Sequence, residues 1–386
     1  MIKNSWLTRA LFGVFSVMLI LASFQLDSKS VQAQASEYYS SGKAAIVLDA
    51  TSKRIFYEKN ADIQLPMAST TKIITAITVL DHCASLDEEV KVNDKAIGVE
   101  GTSIYLEKGE VLSVRELLYG LMLRSGNDAA IALAYHVSGE LEEFCELMKQ
   151  VSIKAGASKL IGFKNPHGLD ADGHNVSARD LALITAYALE NDDFREIVST
   201  KSVKTGDAEG RKVRYLANKN RLLSSLEGCI GVKTGFTSRA GRCLVSAAER
   251  DGFRLVSVVF NCGPMFEESA NLINNVYKNY RLAPILEPYS YVNSVDVSNA
   301  ENVKVKLYTK NGFYYPLSES EFANLNYAYT LPEELEAPIE KDIEVGKLEL
   351  YLGKKLLFSE NIYTMEEVKA TNFKDKVKEI LDNWAA

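Results

Sequence analysis

The segment Pro66-Met67-Ala68-Ser69-Thr70-Thr71-Lys72-Ile73 opens a predicted amphipathic helix. Apolar residues recur after it at helical spacing, at Ile73, Ile74, Ile77 and Leu80. Ser69 and Lys72 are three residues apart at the helix start, so their side chains share one face. A lysine whose pKa is lowered by burial and by nearby charge can take the proton of a serine hydroxyl. Alone, such a pair is usually an N-cap serine beside a solvated lysine, because chance occurrences are common.

A second motif, Ser125-Gly126-Asn127, falls in the turn between two predicted helices. The first of these helices begins with the capping box Ser113-Val114-Arg115-Glu116, and the second follows Asp128. In such a turn the serine can relay protons and the asparagine amide can hold an amide of a substrate.

A third motif, Lys233-Thr234-Gly235, enters a strand that precedes a predicted hairpin around Arg250-Asp251-Gly252. Lys233 adds a second positive charge, which helps to keep Lys72 neutral and attracts an anionic substrate. Gly235 has no Cβ, so a substrate backbone can approach this strand closely. Each motif is weak evidence alone, but together and in this order they are the signature of β-lactamases and penicillin-binding proteins.

Over about residues 40–283 the chain resembles the low-molecular-mass penicillin-binding D-alanyl-D-alanine carboxypeptidases. Its second motif has Gly126 where β-lactamases usually carry Asp. Further matching blocks are Glu100–Leu106, His167–Asp170 and Ser177–Asp180. The resemblance implies an α/β (α+β) β-lactamase/transpeptidase-like domain with an antiparallel sheet, followed by a small β-rich domain. It also implies removal of the terminal D-alanine from peptidoglycan stem pentapeptides, inhibition by β-lactams, and no cofactor or metal.

The same resemblance implies a role for each motif residue. Ser69 attacks the carbonyl between two D-alanines, Lys72 is the general base, and Ser125 relays the proton to the leaving D-alanine. The substrate-binding residues are Asn127, Lys233, Thr234, Gly235 and Phe236. Among these, Asn127 positions the peptide, Lys233 and Thr234 hold the terminal carboxylate, and the backbone amides of Ser69 and Phe236 form the oxyanion hole.

This sequence lacks an arginine that many members of the family have. Many members carry one in the turn after the final hairpin strand, whereas here that turn reads Asn261-Cys262-Gly263-Pro264. Arg239 and Arg242 are the substitutes that the sequence offers for binding a carboxylate.

Three other functions remain open to the sequence. A β-lactamase would share the nucleophile, but no family-like Glu-x-x-Leu-Asn segment lies between Ser125 and Lys233. A D,D-endopeptidase acting on peptidoglycan cross-links would use the same chemistry. A non-catalytic penicillin-binding or wall-binding protein is disfavoured because all the reactive side chains are present.

His167, Asp170 and His174 have a spacing that is easily taken for a metal site. The segment also contains Pro166 and two glycines, so it is a loop and not one face of a helix. We interpret it as a structural loop beside the active site.

Residues 1–35 have the three parts of a signal peptide. Lys3 and Arg9 form a positive start, Ala10–Phe24 is apolar, and Ala33-Gln34-Ala35 is a small-x-small cleavage pattern. An uncleaved membrane anchor is the alternative, but the apolar run of about 15 residues is short of the roughly 20 needed. The chain is therefore expected to be exported to the cell envelope.

The remaining chain divides into three predicted parts. Residues 36–283 form the penicillin-binding domain, which begins with the buried strand Ala44–Asp49 and a strand that returns from Arg54. Residues 284–370 form the small β-rich domain. Residues 371–386 form an amphipathic helix with one apolar stripe, at Phe373, Val377, Ile380, Leu381 and Trp384. That helix either lies on the outer face of the cytoplasmic membrane, as in many relatives, or packs on the β-rich domain.

Composition excludes one class of partner. The net charge is −7 in 386 residues, with no run of Lys or Arg, which argues against binding nucleic acid. The five cysteines include no Cys-x-x-Cys pair, and their odd number predicts at least one free thiol unless one pairs between chains.

Overall fold

The computed structural model of the chain describes residues 39–206, 210, 212–300, 303–371, 377, 381 and 384. The predicted signal peptide, residues 1–35, lies outside the described residues, as does most of the predicted terminal helix. The described helices are α1 Thr71–His82, α2 Val114–Leu123, α3 Asn127–Ser138, α4 Leu141–Lys154, α5 Ala178–Ala188, α6 Asp192–Ser199, α7 Leu222–Ser225, α8 Met265–Asn279 and α9 Glu319–Phe322. The described strands are β1 Ala44–Asp49, β2 Ile55–Lys59, β3 Glu89–Lys91, β4 Val111–Ser113, β5 Ser202–Gly206, β6 Val213–Ala217, β7 Cys229–Thr237, β8 Gly241–Arg250, β9 Phe253–Phe260, β10 Arg281–Leu286, β11 Tyr291–Ser298, β12 Lys304–Thr309, β13 Phe313–Leu317, β14 Leu325–Thr330, β15 Glu334–Glu336, β16 Glu344–Leu352 and β17 Lys355–Thr364.

A five-stranded antiparallel sheet in the order β2-β1-β9-β8-β7 lies at the centre of the N-terminal region. Its strand β1 is apolar at every position before Asp49 because both faces of the sheet are covered. Ile46 and Leu48 face one core with helices α1 to α6, while Ala45 and Val47 face a second core with α8. The predicted mixed α/β fold with an antiparallel sheet is confirmed.

The helices that carry the sequence motifs begin where local capping predicts. Ser113 accepts a hydrogen bond from Glu116 N, and the Glu116 side chain accepts one from Ser113 N, so the predicted capping box is confirmed at α2. Helix α1 follows one turn of 3₁₀ helix, Ala68–Thr70. The turn from α2 to α3 contains Ser125 and Gly126. All three motifs therefore lie at the ends of helices or on the edge strand β7.

The C-terminal region is β-rich, as predicted. Its six-stranded sheet has the order β14-β16-β17-β12-β11-β15, and the pair β10-β13 lies beside it. An apolar cluster that includes Val305, Leu307, Leu348 and Ile362 fills this region. Val377, Leu381 and Trp384 are helical and exposed. No helix in the described part of the chain combines the length and hydropathy that crossing a bilayer requires.

Candidate active site

Ser69 sits in the 3₁₀ turn that leads into α1, where its side chain is half-buried. Two glycines allow neighbouring segments to approach this turn. A methyl group on Gly235 of β7 would lie 3.1 Å from the backbone nitrogen of Ser69. A methyl group on Gly168 would lie 2.0 Å from the carbonyl oxygen of Ala68. The turn is thus held between an edge strand and a loop, both at backbone contact distance.

Lys72 is fully buried, and its amino group reaches Ser69. Its Nζ lies 3.1 Å from Ser69 Oγ and donates to Asn127 Oδ1 at 2.7 Å. The carbonyl oxygen of His167 accepts a third bond. Burial, then the charges of Lys233 and Lys219, hold the pKa of Lys72 well below its ordinary value. The chain therefore favours a neutral amine next to a serine hydroxyl.

Ser125, in the turn between α2 and α3, and Asn127, the first residue of α3, approach Ser69 and Lys72. Ser125 has a φ of +66°, a conformation that L-residues seldom adopt, and it is buried. Its Oγ has no hydrogen-bond partner among the described residues. Asn127 Nδ2 donates to the carbonyl of Glu100 at 2.6 Å, which fixes the amide so that its oxygen faces Lys72. A strained, unpartnered hydroxyl at a cleft indicates a functional position.

Strand β7 supplies the opposite wall. Lys233 is buried, and burial together with the charge of Lys219 lowers its pKa to about 7. Thr234 is half-buried and Phe236 is 67% exposed, so both can contact a bound ligand. Because β7 is an edge strand, its outer side is open to a substrate backbone.

One cleft of about 620 Å³ joins these elements. The predicted site residues that line it are Ser69, Ser125, Thr234, Gly235 and Phe236. The other lining residues are Thr102, Asn218, Lys219, Arg221, Arg242, Met265 and Phe266. Lys72 and Asn127 lie just beneath the cleft, because Lys72 bonds both to Ser69 and to Asn127.

Three charged residues of the cleft lie outside the three motifs. Lys219 and Arg221 follow β6 in a polar stretch that matches no motif, so a single sequence contains no signal that finds them. Arg242, one of the two predicted substitutes for the family arginine, lines the cleft. Arg239 instead pairs with Asp172 at 3.3 Å. The cleft is cationic, which suits a substrate that ends in a carboxylate.

The loop of His167, Asp170 and His174 packs beneath the 3₁₀ turn. His174 Nδ1 accepts from Lys164 N at 3.0 Å, and its Nε2 lies 3.0 Å from Thr71 Oγ1. Burial lowers the pKa of His174 to about 4 and, with the nearby charge of Lys72, that of His167 to about 3. Both rings are therefore neutral, and the loop's contacts support its interpretation as a structural loop beside the active site.

Comparisons with known proteins agree with this geometry. The family model described as D-alanyl-D-alanine carboxypeptidase matches residues 29–263, and that described as penicillin-binding protein 5, C-terminal domain, matches residues 280–370. D-alanyl-D-alanine carboxypeptidase DacF of Bacillus subtilis is 27% identical over 96% of this chain and 97% of its own length. DacC of Escherichia coli, of the same description, is 32% identical over 87% of this chain and 86% of its own.

A solved structure of penicillin binding protein 5 from Haemophilus influenzae superposes with a TM-score of 0.69, at 27% identity, over 86% of this chain and 98% of that one. The functional alternatives of an endopeptidase or a non-catalytic binding protein are not favoured by these findings. The chain belongs to the D-alanyl-D-alanine carboxypeptidase family of serine-type peptidases.

Proposed function

We propose that this D-alanyl-D-alanine carboxypeptidase acts through an acyl-enzyme on Ser69, with Lys72 as the base. The observation that carries the proposal is the distance of 3.1 Å between Lys72 Nζ and Ser69 Oγ, in a setting where the pKa of the amine is well below its ordinary value. A neutral amine at that distance can take the hydroxyl proton as the oxygen attacks.

In the acylation step Ser69 Oγ bonds to the carbonyl carbon of the penultimate D-alanine, and its proton moves to Lys72. The backbone N–H groups of Ser69 and Phe236 stabilise the oxyanion. The bond to the nitrogen of the terminal D-alanine then breaks, and Ser125 Oγ passes a proton to that nitrogen. The unpartnered state of Ser125 Oγ among the described residues supports this role, because the hydroxyl is free to join the substrate.

Substrate binding rests on the cationic cleft. Lys233 and Thr234 receive the terminal carboxylate, and Asn127 bonds the peptide amide. The peptide lies along the open edge of β7, which Gly235 allows to pack closely against the turn that carries Ser69. Arg242 lines the same cleft and takes the place of the family arginine in binding the carboxylate. A free carboxylate at the chain end fits these charges better than the interior of a cross-link does. Water then attacks the ester, and the shortened stem peptide leaves.

Turnover of a stem pentapeptide tests the assignment. Release of D-alanine should fall at least about a thousand-fold in Ser69→Ala, because the covalent route is lost. Ser138→Ala, at the far end of α3, is the matched serine control and should keep its rate. Release of D-alanine by Ser69→Ala at the wild-type rate would refute the assignment of Ser69 as the nucleophile.

Export and membrane contact form a second part of the proposal. Members of this family act in the cell envelope. Cleavage after Ala35 would leave a mature chain with a penicillin-binding domain at residues 36–283, a β-rich domain at 284–370 and a terminal helix. The exposure of Val377, Leu381 and Trp384, at 37%, 60% and 88%, supports a membrane-facing role for the apolar stripe.

Liposome flotation measures that contact. The mature protein should float with liposomes of anionic and zwitterionic lipid, and a version that ends at Ala370 should not, because it lacks the apolar stripe. A full-length Trp384→Ser variant should float less. Equal flotation of the two chain lengths would show that the stripe does not bind the membrane.

A further inference from the structure

Cys83, Glu88 and His136 form a cluster at the opposite end of α1 and α3 from the catalytic residues. Cys83 directly follows α1, Glu88 precedes β3, and His136 lies in the last turn of α3. One possible ligand atom from each side chain lies within 4.8 Å of the other two. His136 Nε2 and Glu88 Oε2 are already 3.2 Å apart.

We propose that this cluster is a structural Zn²⁺ site, with Cys83 Sγ, Glu88 Oε2 and His136 Nε2 as protein ligands and water as the fourth. Thiolate, imidazole and carboxylate are the ligands that Zn²⁺ takes in proteins. In a tetrahedral site with the usual bond lengths, ligand atoms lie about 3.3–3.6 Å apart. The three ligand atoms lie within 4.8 Å of one another, so binding draws them together by about 1 Å.

Charge and field at the cluster favour a divalent cation. Cys83 loses its proton to solvent as the Zn–S bond forms, so one thiolate and one carboxylate neutralise Zn²⁺. The cluster also lies at the C-terminal ends of two helices, α1 and α3, each of 12 residues. The carbonyl ends of helices carry partial negative charge, so both helix dipoles stabilise a cation there.

The ligand loop is held in place before any ion binds. Glu88 Oε1 accepts a hydrogen bond from Ser85 N at 2.8 Å, which leaves Oε2 directed at His136. Buried Leu86 anchors the loop, and its carbonyl accepts from Arg115 N at 2.9 Å. A second bond to a ligating carboxylate orients that carboxylate in known metal sites. His136 is exposed, so an ion can enter from solvent.

The expected consequence is a clamp between α1 and α3. These helices carry Lys72 and Asn127 at their first turns, so the ion joins the far ends of the two elements that present the site. The ion takes no part in the reaction, because about 16 Å of helix separates it from Lys72.

Metal titration of the mature, metal-stripped protein tests the site. We expect one Zn²⁺ per chain, a rise in melting temperature on its addition, and a thiolate-to-metal absorption band when Co²⁺ is used as the probe. Glu88→Gln and His136→Gln change solvent-accessible side chains and should fold. Each should weaken Zn²⁺ binding at least about tenfold. Cys83→Ser should abolish the Co²⁺ band.

Cys229→Ser is the matched control, since Cys229 is a half-buried free thiol outside the cluster. It should keep the Zn²⁺ affinity and the Co²⁺ band. Absence of stoichiometric Zn²⁺ binding by the wild-type protein would overturn the proposal. So would unchanged affinity in both Glu88→Gln and His136→Gln.

Discussion

Three lysines near one serine set the electrostatics of the site at the scale of single residues. Lys72 and Lys233 are both buried, and Lys219 lines the cleft beside them. Burial removes the water that stabilises an ammonium group, and each neighbouring charge lowers the pKa further. The two buried lysines then have opposite tasks, since Lys72 must be neutral to act as a base and Lys233 must be charged to hold a carboxylate.

We predict a bell-shaped dependence of kcat/KM on pH as a result. Activity rises as Lys72 loses its proton, and falls above about pH 7 as Lys233, whose pKa is lowered to about 7, loses its charge. In Lys233→Arg the fall of kcat/KM at high pH should disappear, because the guanidinium group stays charged. Lys72→Arg should be almost inactive for the same reason. D-alanine release measured between pH 5 and 9 gives both limbs.

Lys219 offers a sharper test of the same idea. Lys219→Gln removes a charge that lowers both pKa values, so both limbs should move to higher pH. Lys201→Gln makes the same change in net charge at an exposed position and should leave the limbs in place. An unmoved profile in Lys219→Gln would contradict the proposed coupling.

At the scale of elements, the site depends on backbone contacts between the 3₁₀ turn, β7 and the His167–Asp170 loop. Gly168 has a φ of +91° and faces the carbonyl of Ala68. A side chain there meets both a strained backbone conformation and a collision with the turn that carries Ser69. If this glycine is replaced, the loop must therefore move away from the 3₁₀ turn that carries Ser69.

Gly168→Ala should lower the free energy of unfolding by about 1–3 kcal/mol from backbone strain, with a further loss from the collision. Acylation by penicillin should also slow. Gly98→Ala is the matched control, since Gly98 has a φ of +68° and nothing within 4 Å. It should retain the acylation rate. Equal acylation rates in the two variants would show that the loop does not position Ser69.

The elements differ in how far the sequence could predict them. Strand β1 and the capping box at Ser113 follow from local pattern, and both are found as predicted. The three motifs were recognisable because each depends on a short spacing. Lys219 and the cluster of Cys83, Glu88 and His136 could not be recognised in the sequence. The residues that act with them are distant along the chain and come close only when the segments pack. His136, for example, reaches Glu88 through the packing of α3 on the loop before β3.

At the scale of the whole molecule, Arg54 links the two folded regions. Its guanidinium donates to the carbonyl of Pro316 at 2.6 Å and pairs with Glu321. It also lies 5.0 Å from the ring centre of Tyr280 and 5.4 Å from that of Tyr315. The side chains of Arg54 and Glu321 are only 11% and 8% exposed, so solvent screens the pair weakly.

Arg54→Met should therefore reduce the free energy of unfolding in urea by about 3–5 kcal/mol, because Glu321 remains buried without its cation. Addition of Glu321→Gln should recover most of the loss, since the amide oxygen can still cap α9. Lys304→Met breaks a pair that is 62% and 65% exposed and should change stability by no more than about 0.5 kcal/mol. Similar losses in Arg54→Met and Lys304→Met would contradict a buried link.

The central claim, that Ser69 is the acylated nucleophile, has one direct measurement. The mature protein is treated with penicillin, digested, and examined by mass spectrometry for the modified peptide. We predict one added penicilloyl group per chain, on the peptide that contains Ser69, and none in Ser69→Ala. An adduct on Ser125 or on any other residue, or one that persists in Ser69→Ala, would contradict the account.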